Sequence, residues 1–293
     1  MTATLERPAA PAGRGTNDTA GAQRIAAAFA TARSAGRAAL IPYIVAGYPD
    51  PATSARMALA AMDAGADLLE VGLPYSDPLA DGATLQRASQ VALAAGATLD
   101  GSLRLIESIA RSRPSTPVVP MGYANQFLRG GDGTAAARRL ADAGASGVIV
   151  ADLTPDEGGP FEVVAAEHDL AVVYLVAPTT PPERRAAIAA RSGGFLYCVS
   201  LIGVTGARTS LPTSVGRLVR DVMAVSPVPV GVGFGVSKPA HVRALARAGA
   251  DGVIVASALV DALGSEGRDV HALTSLVADL ASATLFEATR SVG

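Results

Sequence analysis

The segment VRALARAGADGVIVAS (residues 242–257) shows how the whole chain is organised. It has the pattern of a helix with an apolar stripe, a glycine at the helix end, and a short apolar strand. MALAAMDAGADLLEVG (57–72) and ARRLADAGASGVIVAD (137–152) repeat this pattern. A helix–glycine–strand unit that recurs along a chain predicts repeated βα modules. We expect the shared glycines to adopt the left-handed helix cap, which alanine adopts only at a cost; they are Gly65, Gly144 and Gly249.

The rest of the chain extends the pattern to eight strands separated by helices. The predicted strands are residues 40–46, 68–73, 118–123, 147–152, 171–177, 195–200, 228–235 and 252–256. The predicted helices between them are residues 51–64, 103–111, 135–143, 160–167, 182–191, 214–223 and 238–248. This alternation over one domain's length predicts an α/β fold of the (β/α)8 TIM barrel type. A doubly wound sheet is disfavoured because AGYPD (46–50), after the first strand, lacks that fold's glycine-rich turn.

Four further helices are predicted outside the repeating units. The first, residues 23–35, precedes the first strand and is expected to close the bottom of the barrel. The others are residues 84–94, 258–263 and 270–288. Residues 1–18 are rich in Pro, Ala and Gly and are predicted to be a disordered tail, which leaves 19–293 as a single domain.

Composition excludes several classes of protein. The net charge is −2 with no basic cluster, which argues against a nucleic-acid partner. No uninterrupted apolar stretch approaches the roughly 20 residues that span a bilayer, and the first 18 residues lack the apolar core of a secretory signal. Cys198 is the only cysteine, so a disulfide framework is excluded and a cytoplasmic location is expected.

The residue types at the predicted strand ends argue against several kinds of catalysis. Lys238 is the only lysine and begins a predicted helix, so Schiff-base and pyridoxal phosphate catalysis by this chain are disfavoured. The histidines also lie away from the strand ends, so no metal site is predicted; they are His168, His241 and His271. What remains is carboxylate chemistry. Glu70 interrupts an apolar strand, and Asp77 and Asp81 follow in the next loop. A glutamate at a frayed strand end followed by turn-forming aspartates would give the same pattern.

Glycine-rich ends of the last strands indicate a phosphate site without basic residues. VGVGFG (230–235) contains Gly233 and Gly235, which would let the backbone approach an anion. Ser257 is expected to cap the helix after strand eight, whose exposed N–H groups favour an anion. GVTGART (203–209) would add backbone donors and a possible lid. We therefore predict a substrate with a phosphate tail.

Three of the six tyrosines lie at or near predicted strand ends. Tyr43, Tyr123 and Tyr197 belong to the first, third and sixth strands. Any one of them could be a core residue, but together they indicate an apolar pocket for a planar ligand.

The segment EVGLPYSDPLADG (70–82) spans the end of the second predicted strand and the loop after it. It resembles the signature of the tryptophan synthase alpha chain family. Further matching segments follow the family's order: PYIVAGYP (42–49), YAN (123–125), VAD (150–152), GVTG (203–206) and GFG (233–235). The resemblance implies a TIM barrel of tryptophan biosynthesis that cleaves indole-3-glycerol phosphate to indole and glyceraldehyde 3-phosphate by a retro-aldol reaction.

The resemblance also implies residue roles. Glu70 matches the family's general acid/base, Asp81 the carboxylate that binds the indole N–H, and Tyr197 a tyrosine beside the substrate. The implied substrate-binding residues are Tyr43, Tyr123, Thr205, Gly206, Phe234, Gly235, Ala256 and Ser257. No cofactor or metal is implied for this chain. Ala256 stands where the family commonly has Gly, Val45 replaces a frequent Thr, and the lid begins with the apolar run SLIG (200–203).

Finally, the resemblance implies a protein partner. The alpha chain binds a pyridoxal phosphate-dependent beta chain in an αββα complex through which indole passes, and beta binding is expected to order the loop carrying Asp81. Pro74, Asp77 and Asn125 match interface positions. Three alternatives stay open: a stand-alone lyase that releases free indole, a phosphate-binding isomerase barrel, and a non-catalytic allosteric subunit.

Overall fold

The computed structural model describes residues 16–200, 213–233 and 235–286. Its strands are β1 (Ala39–Val45), β2 (Leu69–Gly72), β3 (Val118–Gly122), β4 (Gly147–Val150), β5 (Ala171–Val173), β6 (Leu175–Val176), β7 (Leu196–Val199), β8 (Val230–Gly233) and β9 (Gly252–Val255). Its helices are α1 (Ala20–Ser34), α2 (Pro51–Asp63), α3 (Ala83–Ala94), α4 (Leu99–Ser112), α5 (Ala124–Phe127), α6 (Thr134–Asp142), α7 (Pro155–Glu167), α8 (Pro182–Arg191), α9 (Thr213–Met223), α10 (Pro239–Ala248), α11 (Ser257–Ala262) and α12 (Val270–Ser282).

The strands form a parallel barrel, as predicted. Their order is β5-β4-β3-β2-β1-β9-β8-β7-β6. The two ends of this order, β5 and β6, are halves of the predicted fifth strand, interrupted only at Tyr174. The Tyr174 N–H bonds to the Ser192 hydroxyl at 3.0 Å, while its carbonyl accepts from the Tyr197 N–H at 3.0 Å. Before Tyr174 the strand pairs with β4, and after it the strand pairs with β7. The barrel is therefore nearly closed.

Helix α1 closes the bottom of the barrel, as predicted. Its buried face includes Ile25 and Phe29, which pack in one cluster with the inward side chains of the strands. The Phe29 ring lies 5.6 Å from that of Phe195. A Cβ on Gly252 would come within 2.7 Å of the Phe29 ring, so the strand needs glycine where the helix packs most closely. A second, larger cluster fills the space between the strands and the outer helices.

The predicted helix caps are confirmed, whereas several predicted helix bounds are wrong. Gly65, Gly144 and Gly249 have φ of +116°, +86° and +99°. Helix α4 begins at Leu99 rather than 103, because the Thr98 hydroxyl accepts the Gly101 N–H at 3.0 Å and caps it there.

Two other helix bounds differ because of proline and of tertiary pairing. Helix α7 begins at Pro155, five residues before the predicted start, so Pro160 lies inside the helix rather than opening it. Helix α12 ends at Ser282, because Leu285 instead forms an antiparallel bridge with Arg37 before β1.

Most of the predicted tail lies outside the described residues, and Thr16–Asp18 form a short 3₁₀ turn ahead of α1. Among the helices that are described, none is both long and apolar enough to cross a membrane.

Candidate active site

Glu70 lies inside the barrel, as the second residue of β2. Its neighbours Leu69 and Val71 face the outer helices, so the alternation of a strand turns the Glu70 side chain inward. The residue is fully buried, and neither carboxylate oxygen has a hydrogen-bond partner among the residues that the structure describes. Burial therefore raises the pKa of Glu70 well above its ordinary value. An unpaired carboxyl in a folded interior is costly, and such costs concentrate at functional sites.

Two tyrosines lie close to this carboxyl inside the barrel. Tyr43 is paired with Glu70 in the β1–β2 register, and Tyr197 projects from β7. Burial raises the pKa of both hydroxyls well above the ordinary value, and the carboxyls of Glu70 and Asp81 raise it further. The structure thus brings Glu70, Asp81, Tyr43 and Tyr197 to one end of the barrel.

Glycines at the neighbouring strand ends make room for these rings. A Cβ on Gly72 would lie 1.8 Å from the Tyr43 hydroxyl oxygen, and one on Gly233 would lie 2.5 Å from that of Tyr197. Since real Cβ atoms do not approach other atoms so closely, any larger residue here would displace a tyrosine. Both tyrosine positions depend on a glycine one strand away.

Asp81 lies in the loop of residues 74–82, called the Asp81 loop below. Burial raises the pKa of Asp81 to about 6, and a hydrogen bond with the Tyr123 side chain opposes that rise. Burial thus shifts the pKa of both carboxyls upward, and in Asp81 a hydrogen bond opposes the shift. Carboxyls with raised pKa values are groups suited to acid–base catalysis near neutral pH.

The Asp81 loop is tied to the β3–α5 turn. The Tyr123 hydroxyl accepts the Ala80 N–H at 3.0 Å, and the Gln126 side chain donates to the Pro74 carbonyl at 3.1 Å. Asn125 donates to the Tyr75 hydroxyl at 3.1 Å. From the other side, Gln86 of α3 donates to the Asp81 carbonyl at 2.9 Å.

The contacts of Gln86, Gln126 and Tyr75 could not be predicted from the sequence, because their partners lie far away in the chain or on the backbone. Three of the residues expected at a partner interface lie on this same surface. Pro74 and Asn125 are joined through the contacts just described. Asp77, three residues after Pro74, is exposed and accepts from the Ser76 hydroxyl at 2.6 Å.

The expected phosphate site is described only in part. Gly235 has φ of +76°, a conformation that favours glycine, directly beyond β8. The expectation that Ser257 caps the next helix is wrong: α11 begins at Ser257 itself, and Ala256 is the capping residue. Alanine has no side-chain acceptor, so the capping residue makes no side-chain hydrogen bond to the first N–H groups of α11. Thr205, Gly206 and Phe234 lie outside the described residues.

The other chemically reactive side chains lie apart from this site. Cys198 is buried, and its burial raises the pKa of the thiol to about 12. His241 is buried in α10 and accepts the Ser237 N–H at Nδ1. In the part of the chain that is described, no group of three or more His, Cys, Asp or Glu residues could hold a metal ion.

Fold and site together are typical of an enzyme class, the (β/α)8 barrels, which gather titratable side chains at the carboxyl ends of their strands and in the loops that follow. Comparison with known proteins specifies the family. The profile of the family described as "Tryptophan synthase alpha chain" matches residues 29–287. The chain belongs to the tryptophan synthase alpha chain family, and it is a lyase of tryptophan biosynthesis that cleaves indole-3-glycerol phosphate.

Individual relatives agree with this assignment. The tryptophan synthase alpha chain of Roseiflexus sp. (strain RS-1) is 47% identical over 240 residues, covering 82% of this chain and 91% of its own. That of Chloroflexus aggregans is 43% identical over 263 residues, covering 89% and 98%.

Solved structures have the same barrel. A chain of Mycobacterium tuberculosis tryptophan synthase superimposes with a TM-score of 0.81 at 43% identity, covering 89% of this chain and 98% of its own. A mutant tryptophan synthase alpha subunit from Pyrococcus furiosus gives a TM-score of 0.77 at 36% identity, covering 84% and 99%.

Proposed function

We propose that Glu70 and Asp81 divide the proton chemistry of indole-3-glycerol phosphate cleavage in this chain. The observation that supports this most is Glu70 itself, a fully buried carboxyl for which the described part of the chain offers no hydrogen-bond partner on either oxygen. Burial raises the pKa of such a carboxyl well above its ordinary value, so it holds its proton to higher pH and can give that proton to a carbon base.

The proposed reaction proceeds in two steps. Protonated Glu70 gives its proton to C3 of the indole ring, and the ring becomes a cation with its charge largely on the N1–H. The bond between C3 and the glycerol carbon then breaks, and its electron pair returns to the ring. The Glu70 carboxylate takes the proton of the hydroxyl on that glycerol carbon, which becomes the aldehyde. The products are indole and glyceraldehyde 3-phosphate, and Glu70 ends protonated as it began.

Asp81 has the complementary role in this proposal. With a pKa of about 6 it is ionised at neutral pH, so it can accept a hydrogen bond from the indole N–H. It stabilises the ring cation more than the neutral ring, which is what lowers a barrier. The buried aromatic rings of Tyr43 and Tyr197 provide an apolar surface that suits a planar apolar ring.

The opposite end of the substrate carries the phosphate, and we place it at the ends of the last two strands. The left-handed conformation of Gly235 and the first backbone N–H groups of α11 support this placement. Thr205, Gly206 and Phe234 belong to the same proposed site through the family resemblance alone.

The family pairs with a beta chain, and we propose that this chain does so in the cytoplasm as an αββα complex. The beta chain would carry pyridoxal phosphate, and this chain would need no cofactor. Pro74, Asp77 and Asn125 would contact the partner, since they lie on the surface joined to the Asp81 loop. Contacts there would act directly on the loop that carries Asp81.

Indole formation tests this proposal. The purified chain is given indole-3-glycerol phosphate with and without a beta chain, and indole is measured directly. We expect slow formation by the chain alone and a large increase with the beta chain. A fast rate that the beta chain leaves unchanged would favour a stand-alone lyase, and no indole in either case would refute the proposed chemistry.

A further inference from the structure

The Asp81 loop begins where the backbone pairing beyond β2 stops. The Leu73 N–H still donates to the Met121 carbonyl at 2.8 Å, but Pro74 has no N–H with which to continue the ladder. The Pro74 carbonyl accepts a hydrogen bond from the side-chain amide of Gln126 at 3.1 Å. Gln126 therefore holds the loop at its first residue.

The same amide group also acts on the far end of the loop. Its oxygen accepts the Tyr123 N–H at 3.0 Å, and the Tyr123 hydroxyl accepts the Ala80 N–H at 3.0 Å. Tyr123 is buried, and its ring stacks on that of Tyr75 with 5.1 Å between centroids. Since an amide oxygen accepts and an amide nitrogen donates, one side chain holds the start of the loop directly and the residue before Asp81 through Tyr123.

The end of β3 sets the position of Gln126. The residue is half-buried in α5, and a Cβ on Gly122 would lie 2.7 Å from its side-chain oxygen and 2.9 Å from the Phe127 ring. Only glycine at position 122 leaves room for this packing. The neighbouring Asn125 is exposed. A partner can therefore contact Asn125 at the surface while Gln126 keeps its bonds to the loop and to the strand end.

We propose that Gln126 is a positioning residue for the Asp81 loop: its amide holds Pro74 and, through Tyr123, Ala80, so that Asp81 is in place before a beta chain binds. This inference rests on the response to the beta chain proposed above. The beta chain then supplies only the part of the loop's order that Gln126 does not. Without this amide the free chain loses the most activity, and a beta chain that contacts the loop from outside restores part of the loss.

The test is Gln126→Met, with Gln90→Met as the matched control. Methionine keeps the unbranched shape of glutamine and loses both hydrogen bonds, whereas Gln90 is exposed on α3. We expect kcat/KM for indole formation by the free chain to fall by a factor on the order of ten in Gln126→Met, since each neutral hydrogen bond is worth about a factor of five.

The activation ratio, the rate with saturating beta chain divided by the rate without it, distinguishes positioning from a general loss of structure. With the beta chain bound, we expect Gln126→Met to lose less than about threefold, which is less than one such hydrogen bond is worth. Its activation ratio therefore rises above that of wild type. Gln90→Met should leave both rates and their ratio unchanged.

Gln126→Glu separates the two hydrogen bonds. A carboxylate still accepts the Tyr123 N–H, but it cannot donate to the Pro74 carbonyl. We expect a raised activation ratio here too, because the start of the loop is released while Tyr123 keeps its partner. This variant decides the inference if Gln126→Met does not fold.

Amide hydrogen exchange in the free chain gives a readout that is independent of activity. We expect the Ala80 N–H to exchange faster in Gln126→Met than in wild type by a factor on the order of ten, while the amides of β9 keep their protection. This measurement decides the inference even if wild type forms no indole, an outcome that would refute the proposed function separately.

Three outcomes would overturn the inference. Equal losses of activity with and without the beta chain would mean that Gln126 does not set the position of the loop in the free chain. Faster exchange in β9 as well as at Ala80, in both Gln126 variants, would assign the effect to the whole fold. An unchanged exchange rate at Ala80 in Gln126→Met would show that the amide does not hold the loop.

Discussion

Replacing Glu70 with glutamine should stabilise the fold by an amount that grows with pH. Glutamine keeps the shape of the side chain and cannot ionise, so it removes the conflict between charge and burial at a fully buried position. In wild type, the folded chain retains the Glu70 proton above the ordinary pKa of 4.5, whereas the unfolded chain gives it up. The folded state then binds more protons than the unfolded state, so wild-type stability falls as the pH rises.

The magnitude follows from linkage. Between pH 4.5 and the raised folded-state pKa of Glu70, each pH unit costs wild type about 1.4 kcal/mol that the variant does not lose. All other titrating groups are shared, so they cancel in the difference between the two proteins. The variant is therefore expected to gain about 1.4 kcal/mol on wild type for each pH unit in this interval.

Urea unfolding at pH 5, 6 and 7 measures this difference, provided that the slope with denaturant is the same for both proteins. Glu167→Gln is the matched control, because Glu167 is exposed at the end of α7 and its substitution leaves the buried carboxyl of Glu70 in place. A Glu70→Gln difference that does not change with pH would refute the reasoning, since it would mean that Glu70 ionises normally in the folded chain.

Two further substitutions test the frame of the site. Gly72→Ala places a Cβ 1.8 Å from the Tyr43 hydroxyl oxygen. We therefore expect the free energy of unfolding, measured with urea, to fall by about 1–3 kcal/mol, and kcat/KM for indole formation to fall as well. Wild-type values for both would contradict the packing described here. Phe29→Ala leaves a cavity at the bottom of the barrel, far from Glu70 and Asp81. We expect the free energy of unfolding to fall by about 3–5 kcal/mol, with little change in kcat/KM for the fraction that remains folded. A loss of less than about 1 kcal/mol would show that α1 does not close the core.

The local pattern of the sequence was sufficient to predict the barrel. The glycines Gly65, Gly144 and Gly249 mark the turn from helix to strand by a backbone requirement that is visible at a single position. The break in the fifth strand was not predictable in the same way. It depends on Ser192, 18 residues away, whose hydroxyl accepts a hydrogen bond from the Tyr174 N–H.

The site residues likewise include some that could be predicted from the local sequence and some that could not. Glu70 could be recognised because a carboxylate within an apolar strand is unusual in itself. Tyr123 was expected to be a substrate contact. Its hydroxyl also accepts the Ala80 N–H from a loop more than 40 residues earlier, a contact that only the folded chain reveals. Ser257 was expected to be a cap, yet the helix begins one residue earlier than a serine cap would require.

The most direct test of the proposed chemistry is a single-turnover measurement of indole formation at neutral pH, comparing wild type with Glu70→Gln while the binding of indole-3-glycerol phosphate is measured separately. If Glu70 gives and retakes the proton, the variant binds substrate normally and its rate falls by a factor on the order of 10²–10⁴. A variant that binds substrate and retains more than about a tenth of the wild-type rate would contradict the assignment of Glu70 as the proton donor.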